Sequence, residues 1–420
     1  MIKAISLLML FCSVFCGPSV CAQEATPLGA HAASNNPPIK KLDGSLLPAA
    51  AADSIISQLV QDARVTGLCI SVLNDNQPVY TKAFGVRNNR TKKLLDTSTI
   101  IYCASFSKSI FAFLVMHLVE ENKLSLDTPL YRYLDKPLPA CQSYKDLAGD
   151  DRWKLITARM CLSHTTGFPN WRQMAVNTDA YDTAGKLAIY FTPGTRYAYS
   201  GEGIQLLQLA VEHITGQTVQ QLADEKIFRP AGIYRTAYVW NPAFDNDYAV
   251  GHDPDGFVVY RNDGNAGKTK YTVPYAAGSM VTTISDYSRL IAYIMQGNGL
   301  QASTRAMMLT PQIRIHSTYQ FPTITPDTTS ENNAIQLSYG LGWGLFTGRY
   351  GSAFFKEGHD EGWRNYNVNF PDKKTSIIIM TNSANGESIF KELLEKIIGD
   401  TDTPWKWERY TPYNQTQPHP

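Results

Sequence analysis

Ser105-Phe106-Ser107-Lys108 stands at the head of a long apolar run, Ile110 to Val119. On one helix, a Ser and a Lys three residues apart share a face, one turn from each other. An amine at that spacing can reach the hydroxyl proton, which is how an alcohol becomes a nucleophile at neutral pH. The N-terminus of the same helix puts partial positive charge near any oxyanion formed at the serine. Ser-x-x-Lys spacings are common, so this one gains meaning only from partners. Two further segments supply them. Pro193-Gly194-Thr195-Arg196-Tyr197-Ala198-Tyr199-Ser200-Gly201 carries Tyr199 on a turn ahead of a second helix, and Lys356-Glu357-Gly358 precedes Gly362-Trp363 and a strand.

Competing chemistry is weaker. Cys103 lies two residues before Ser105 but has no base beside it. His359-Asp360-Glu361 has no second His cluster at ligand spacing. Cys69, Cys103, Cys141 and Cys161 show no zinc-ligand spacing, so the chain reads as needing no metal and no cofactor. Ser200 lacks the Gly-x-Ser-x-Gly frame of a nucleophile elbow. Trp363, Trp405 and Trp407 read as packing residues.

These side chains need elements to hold them. The pattern predicts a helix over Ala50 to Ala63, then strands over Gly67 to Leu73 and Val79 to Gly85, joined by a polar turn. The Ser105 helix runs to about Glu121 and is apolar nearly all round, so it must be buried. A mainly helical insert spans about 125–275, with Leu187 to Phe191 and Gln205 to Ile214 its clearer helical pieces. Strands return over Tyr339 to Phe346, Arg364 to Phe370 and Ser376 to Thr381, and Ile389 to Ile398 is a closing amphipathic helix. Strands at both ends around a helical middle predict an α+β fold. One antiparallel sheet, built from N- and C-terminal segments, is flanked by helices in an α/β sandwich with the helical subdomain inserted.

The 420 residues are 44% hydrophobic with a net charge of +1, enough for a large core and pointing to neither nucleic acid nor an anionic membrane. Met1-Ile2-Lys3, the apolar Ala4 to Val20 and Val20-Cys21-Ala22 read as a secretory signal over residues 1–22. The run is short and broken by Gly17 and Pro18, which argues against a stable membrane span. Pro18-Ser19-Val20 is a poor lead-in to lipidation at Cys21. The expectation is an exported protein, periplasmic or secreted, with a flexible lead-in over 23–48, a domain over 49–399 and a Pro- and aromatic-rich tail over 400–420. An oxidising compartment permits a disulfide, with Cys141 and Cys161 the nearest pair in sequence.

Taken in chain order, Ser-x-x-Lys, Tyr-x-Gly and Lys-x-Gly-x-x-x-Gly-Trp resemble the serine β-lactamase and penicillin-recognising superfamily. The class C β-lactamase branch, with its D,D-peptidases and esterases, is the nearest in pattern. The likeness covers about Ser54 to Gly399 and includes Gly85-Val86, Lys123 to Asp127, Leu162-Ser163-His164-Thr165-Thr166-Gly167, Ala277 to Met280 and Tyr339 to Trp343. The fold it implies is β-lactamase/transpeptidase-like. It implies that Ser105 is acylated and that the backbone N–H groups of Ser105 and His359 form the oxyanion hole, His359 lying in a loop. Lys108 and Lys356 flank Tyr199, whose phenolate they favour, and either Tyr199 or Lys108 is the base. Lys356, Gly358 and Gly201 are the implied substrate-binding positions, with Lys356 the contact for a substrate carboxylate.

Two departures bear on specificity. Gly201 stands where the family usually carries an Asn that binds the substrate amide, and Glu357 stands where it usually carries Thr or Ser. Glu202 offers a carboxylate beside the first change. The implied function is a serine hydrolase acting on an amide or ester carbonyl, be it a β-lactam, a D-amino-acid peptide or a small ester, through acyl-Ser105. The alternative is a penicillin-binding or sensor protein that acylates or binds without turnover.

Overall fold

Apolar residues that alternate around a strand need cover on both sides, and the middle of this molecule is built that way. The computed structural model describes residues 37–174, 182, 184–259 and 270–415. The signal expected over 1–22 and the lead-in as far as residue 36 lie outside the described residues. Short strands β1 (Ile39–Lys40) and β2 (Leu46–Leu47) form a hairpin ahead of helix α1 (Ala49–Asp62). Strands β3 (Gly67–Asn74), β4 (Gln77–Asn88) and β5 (Lys93–Leu94) follow. A further short strand, β6 (Ile101–Tyr102), pairs with β7 (Val281–Thr282). The C-terminal part supplies β8 (Ile313–Arg314), β9 (Ser338–Tyr339), β10 (Gly344–Gly348), β11 (Gly351–Asp360), β12 (Trp363–Phe370) and β13 (Thr375–Thr381). The main sheet has nine strands in the order β5-β4-β3-β13-β12-β11-β10-β9-β8, paired antiparallel.

Strands β3 and β13, from opposite ends of the chain, meet at the centre, where Ile379 pairs with Ile70 and Ile377 with Val72. Every residue of both strands is buried, so they read as continuous apolar runs rather than half-polar ones. Their alternation sorts residues between two cores. Ile70, Val72, Ile377 and Ile379 pack with α1 and with the final helix. Cys69, Leu73, Ile378 and Met380 face the other core, where helix α2 (Phe106–Glu120) lies. Helices α3 (Ala158–Leu162), α4 (Gly201–Thr215), α5 (Val219–Ala223), α6 (Ile284–Met295) and α7 (Ala302–Met308) belong to the insert and its continuation, and α8 (Phe390–Ile397) is that final helix.

Three expectations change. The described part of the lead-in, from residue 37 to 48, is ordered: Ile39 is fully buried, and Leu42 N–H donates to Ile398 O at 2.9 Å. In the tail, Trp407 is buried against the sheet, in keeping with its reading as a packing residue. Leu187 to Phe191 is not helical; Tyr190 N–H bonds back to Gly167 O at 2.9 Å instead. The strand expected over Tyr339 to Phe346 is two, because Gly342 takes φ +87° and fits against α2, where a Cβ would lie 2.2 Å from that of Ala112.

Ile379 has no exposed surface and sits between the central strands and α1/α8. Ile379→Ala is expected to lower stability by about 2–5 kcal/mol. Urea unfolding should show a lower midpoint at unchanged slope; a loss under about 1 kcal/mol contradicts a close-packed centre.

Candidate active site

Ser105 is the residue at which the chain turns into α2, with φ −71° and ψ −4°. Ala104 before it sits in the left-handed region at φ +46°, a conformation that costs about 1–3 kcal/mol and persists only where surroundings impose it. The surroundings are visible. Ser107 Oγ donates to Ala104 O at 2.6 Å and accepts from Met280 N–H at 3.0 Å, while Tyr238 OH donates to Ser107 O at 2.7 Å. One turn on, Lys108 Nζ lies 2.9 Å from Ser105 Oγ and 2.7 Å from Ala277 O.

Tyr199 comes in from the turn ahead of α4. His164, itself at φ +55°, fixes that turn: its ring Nδ1 accepts from Ser200 N–H at 3.1 Å and its carbonyl accepts from Ala198 N–H at 2.8 Å. The His164 ring centroid is 4.3 Å from that of Tyr199. Burial, then the neighbouring Lys108 and Lys356, hold His164 well below the usual imidazole range, so it is a neutral acceptor.

The third motif lies on β11. The pairing of β10 with β11 ends at Gly344–Phe355, whereas β12 accompanies β11 as far as Asp360–Trp363. From Lys356 onward one edge of β11 is therefore free to face the start of α2. Gly358 makes the approach possible: a Cβ there would lie 2.5 Å from Cys103 O. The residue expected in a loop, His359, is paired with Arg364 in the sheet, and its Nε2 lies 3.3 Å from Glu387 Oε2.

The two lysines differ in charge. Burial, reinforced by Lys356, pulls the Lys108 pKa well below its ordinary value, against a smaller upward pull from Glu357. Burial acts on Lys356 in the same sense, but Glu357 and Tyr199 overcome it and leave its pKa above the ordinary value. Tyr199 was expected to lean towards phenolate. Its pKa is instead raised, because burial, with help from Glu357, outweighs Lys356 and the hydrogen bond with Ser105. The site at rest therefore biases Lys108 towards its free amine, Tyr199 towards its neutral phenol and Lys356 towards its ammonium.

That ammonium does not face substrate. Lys356 is fully buried, and its Nζ lies 3.0 Å from Tyr199 OH, 2.9 Å from Glu357 O and 2.8 Å from Glu357 Oε1. An ammonium has three protons, and these acceptors take all of them. The expected contact between Lys356 and a substrate carboxylate is thus already made by Glu357. Gly358 permits the close packing of β11 against the start of α2. Gly201 is covered, since a Cβ there would lie 2.3 Å from the Trp171 ring. Glu202 points to Arg172, which grips it with Nε at 2.9 Å and Nη2 at 2.6 Å.

Ser105 opens into a cavity of about 430 Å³. One wall is a run of rings: Trp171 stacks on Tyr275 at 5.7 Å, Tyr275 on Tyr271 at 6.4 Å, and Tyr271 on Tyr102 at 6.3 Å. Phe321, Tyr199, Glu357, His359 and Asp360 are among the residues that line the rest. Sequence reasoning missed Trp171, Tyr271, Tyr275 and Phe321, none of which carries a motif. Trp171 alone had a signal, lying four residues beyond the His164-Thr165-Thr166-Gly167 landmark.

The family model for Beta-lactamase matches residues 52–398, and the chain belongs to that family. It is 26% identical over 253 residues to Esterase EstB of Burkholderia gladioli, a match covering 56% of this chain and 59% of the esterase. It is 24% identical over 328 residues to Penicillin-binding protein 4* of Bacillus subtilis (strain 168), covering 72% of this chain and 65% of that protein. The chain thus spans less than two thirds of the length of these relatives. Among solved structures, EstCE1, a hydrolase with promiscuous acyltransferase activity, superposes with a TM-score of 0.63 at 16% identity, over 83% of this chain and 97% of that one. D-alanine Carboxypeptidase AmpC from Burkholderia cenocepacia gives 0.60 at 19% identity, over 79% and 93%. Both share the fold described above.

Because Glu357 raises the Lys108 pKa while burial and Lys356 lower it, Glu357→Gln is expected to lower that pKa further. Ser105 reacts only while Lys108 is unprotonated. The rate of labelling by a fluorophosphonate, followed against pH, should then fall off at a lower pH in the variant than in the unsubstituted protein. A fall-off moved to higher pH contradicts this charge assignment.

Proposed function

We propose that this protein is a serine hydrolase of the class C β-lactamase-like type that cleaves ester or amide carbonyls through acyl-Ser105, with neutral esters its preferred substrates. The observation that carries the reading is the buried Lys108 amine, 2.9 Å from Ser105 Oγ and biased towards its unprotonated form. As a free amine it accepts the Ser105 proton while Oγ attacks the carbonyl carbon. The oxyanion is received by the backbone N–H groups of Ser105 and His359. The proton passes through the Tyr199 hydroxyl, tethered by Lys356, to the leaving oxygen, and the alcohol departs. Water then attacks the acyl carbon, giving one proton to Lys108, and Ser105 Oγ recovers a proton as the acid leaves.

The preference for neutral substrates rests on two features. Lys356 has no proton left for a carboxylate, and Trp171 occupies the space beside Gly201. The ring-lined wall suits an apolar acyl or alcohol group. One curated relative is called an esterase, and a structural neighbour carrying the same fold is called a hydrolase with acyltransferase activity, in keeping with this reading. We further propose that the protein is exported, on the strength of the signal pattern over residues 1–22.

Hydrolysis of 4-nitrophenyl butyrate and of benzylpenicillin, read alongside intact mass, tests this. Ser105→Ala and Lys108→Met should each reduce ester turnover by about 10²-fold or more while leaving the protein folded. The unsubstituted protein should turn over the ester and form no lasting penicilloyl adduct. Ester turnover that survives Ser105→Ala overturns the mechanism, and rapid penicillin consumption overturns the substrate preference.

A further inference from the structure

The C-terminal segment lies beyond residues 52–398, the span shared with the family, yet it connects to the catalytic lysine. Trp407 is buried with its ring 6.1 Å from Tyr197 and 6.4 Å from Phe355, centroid to centroid. Its Nε1–H donates to Ser317 Oγ at 3.1 Å, and its carbonyl accepts from Gln320 N–H at 2.9 Å. Both contacts grip the same loop. Arg409 adds to the hold, its guanidinium carbon 4.4 Å from the Tyr319 ring centroid, and Tyr366 OH donates to Glu408 Oε1 at 3.2 Å from the sheet side.

The gripped loop in turn reaches the site. Gln320 is buried, and its Nε2 donates to Glu357 Oε1 at 2.7 Å, the same oxygen that receives Lys356. Phe321, the next residue, meets the Tyr199 ring edge-on at 5.8 Å and forms part of the cavity wall. A carboxylate on a flexible side chain at a cavity wall has several rotamers open to it. The second hydrogen bond selects the one that closes over Lys356.

We propose that Trp407, Gln320 and Glu357 form a tail-held latch that places an internal carboxylate on Lys356 and so excludes substrates bearing a carboxylate of their own. Glu357 is the specificity-determining residue; Gln320 and Trp407 are positioning residues that act through it. The inference rests on the serine hydrolase reading above. Its physical content is competition for one ammonium. While Glu357 is held, a substrate carboxylate meets a charge already neutralised and a like charge beside it. When Glu357 is released or removed, Lys356 regains a proton to donate, and a hydrogen bond to a charged group is worth about tenfold or more in binding.

Two esters of one alcohol separate the possibilities: 4-nitrophenyl butyrate, which is neutral, and mono-4-nitrophenyl succinate, which carries a carboxylate. The unsubstituted protein should favour the butyrate. Glu357→Thr should lower the ratio of kcat/KM for butyrate over succinate by about tenfold or more, chiefly through a lower KM for succinate. Gln320→Leu and Trp407→Ala should each lower the ratio in the same direction. Their double variant should go little further, because both act through one carboxylate. Trp407→Phe, which keeps the ring packing but loses the Ser317 bond, should restore most of the ratio. Variants that reduce both esters equally, or whose effects on the ratio multiply, overturn the latch and leave the tail a structural brace. If the unsubstituted protein hydrolyses neither ester and Ser105 takes no fluorophosphonate label, the hydrolase reading itself fails, and the latch fails with it.

Discussion

Two buried lysine amines share one pocket, and the energetics of the site follow from the opposite directions in which their pKa values are pushed. In a medium of low effective dielectric, two ammonium groups on either side of a single tyrosine repel strongly, and each loses hydration as well. Lys108 Nζ and Lys356 Nζ stand 5.0 and 4.8 Å from the centre of the same Tyr199 ring. Glu357 breaks the tie. It bonds Lys356 directly and leaves Lys108 biased towards its free amine, which suits a base next to a serine hydroxyl. Environments that push two like groups apart in pKa are a general way to assign an acid and a base within one site.

The fold can be understood as what holds this arrangement in place. The motif residues come from three elements that share no sequence neighbourhood: the first turn of α2, the turn ahead of α4, and the overhanging part of β11. Each is anchored by contacts that a mobile loop could not provide. The left-handed Ala104 is locked by Ser107 and Met280, the Tyr199 turn is locked by the neutral His164 ring, and β11 is brought close by the absence of a side chain at Gly358. Small departures at such distances are costly, because proton transfer between Ser105 and Lys108 depends on a contact of 2.9 Å.

Much of this was legible in the sequence, and the reasons for the failures are physical. The central strands and α2 announce themselves through apolar runs too long to be anything but buried. The motif residues are findable because chemistry restricts their types and spacing. Leu187 to Phe191 misled because five residues are too few to tell a helical face from an apolar extended segment. The break after Tyr339 depends on Ala112, more than two hundred residues away, and no local pattern encodes it. The Lys356–Glu357 pair is hidden for a subtler reason. Adjacent residues on a strand point to opposite faces, so spacing alone says they should not meet, yet both side chains are long enough to curl round and do so. The upward shift of Tyr199 was unreadable for a different reason: burial, which outweighs the pull of Lys356, comes from the whole fold and not from the motif.

The meeting of β3 and β13 at the middle of the sheet sets the order in which the protein can come into being. Leu73 has to find Ser376, and Leu68 has to find Thr381, across roughly three quarters of the chain. Closing so large a loop is an entropic barrier that must be crossed before any of the central contacts repay it, and it makes the topology a slow one to reach. A ribosome releases β3 hundreds of residues before its central partner exists. During that interval a mostly apolar strand has one side with nothing to pair with, and such edges invite association with other chains. The architecture that brings distant motif residues together therefore also gives the nascent chain a long period of dependence on whatever keeps it from aggregating.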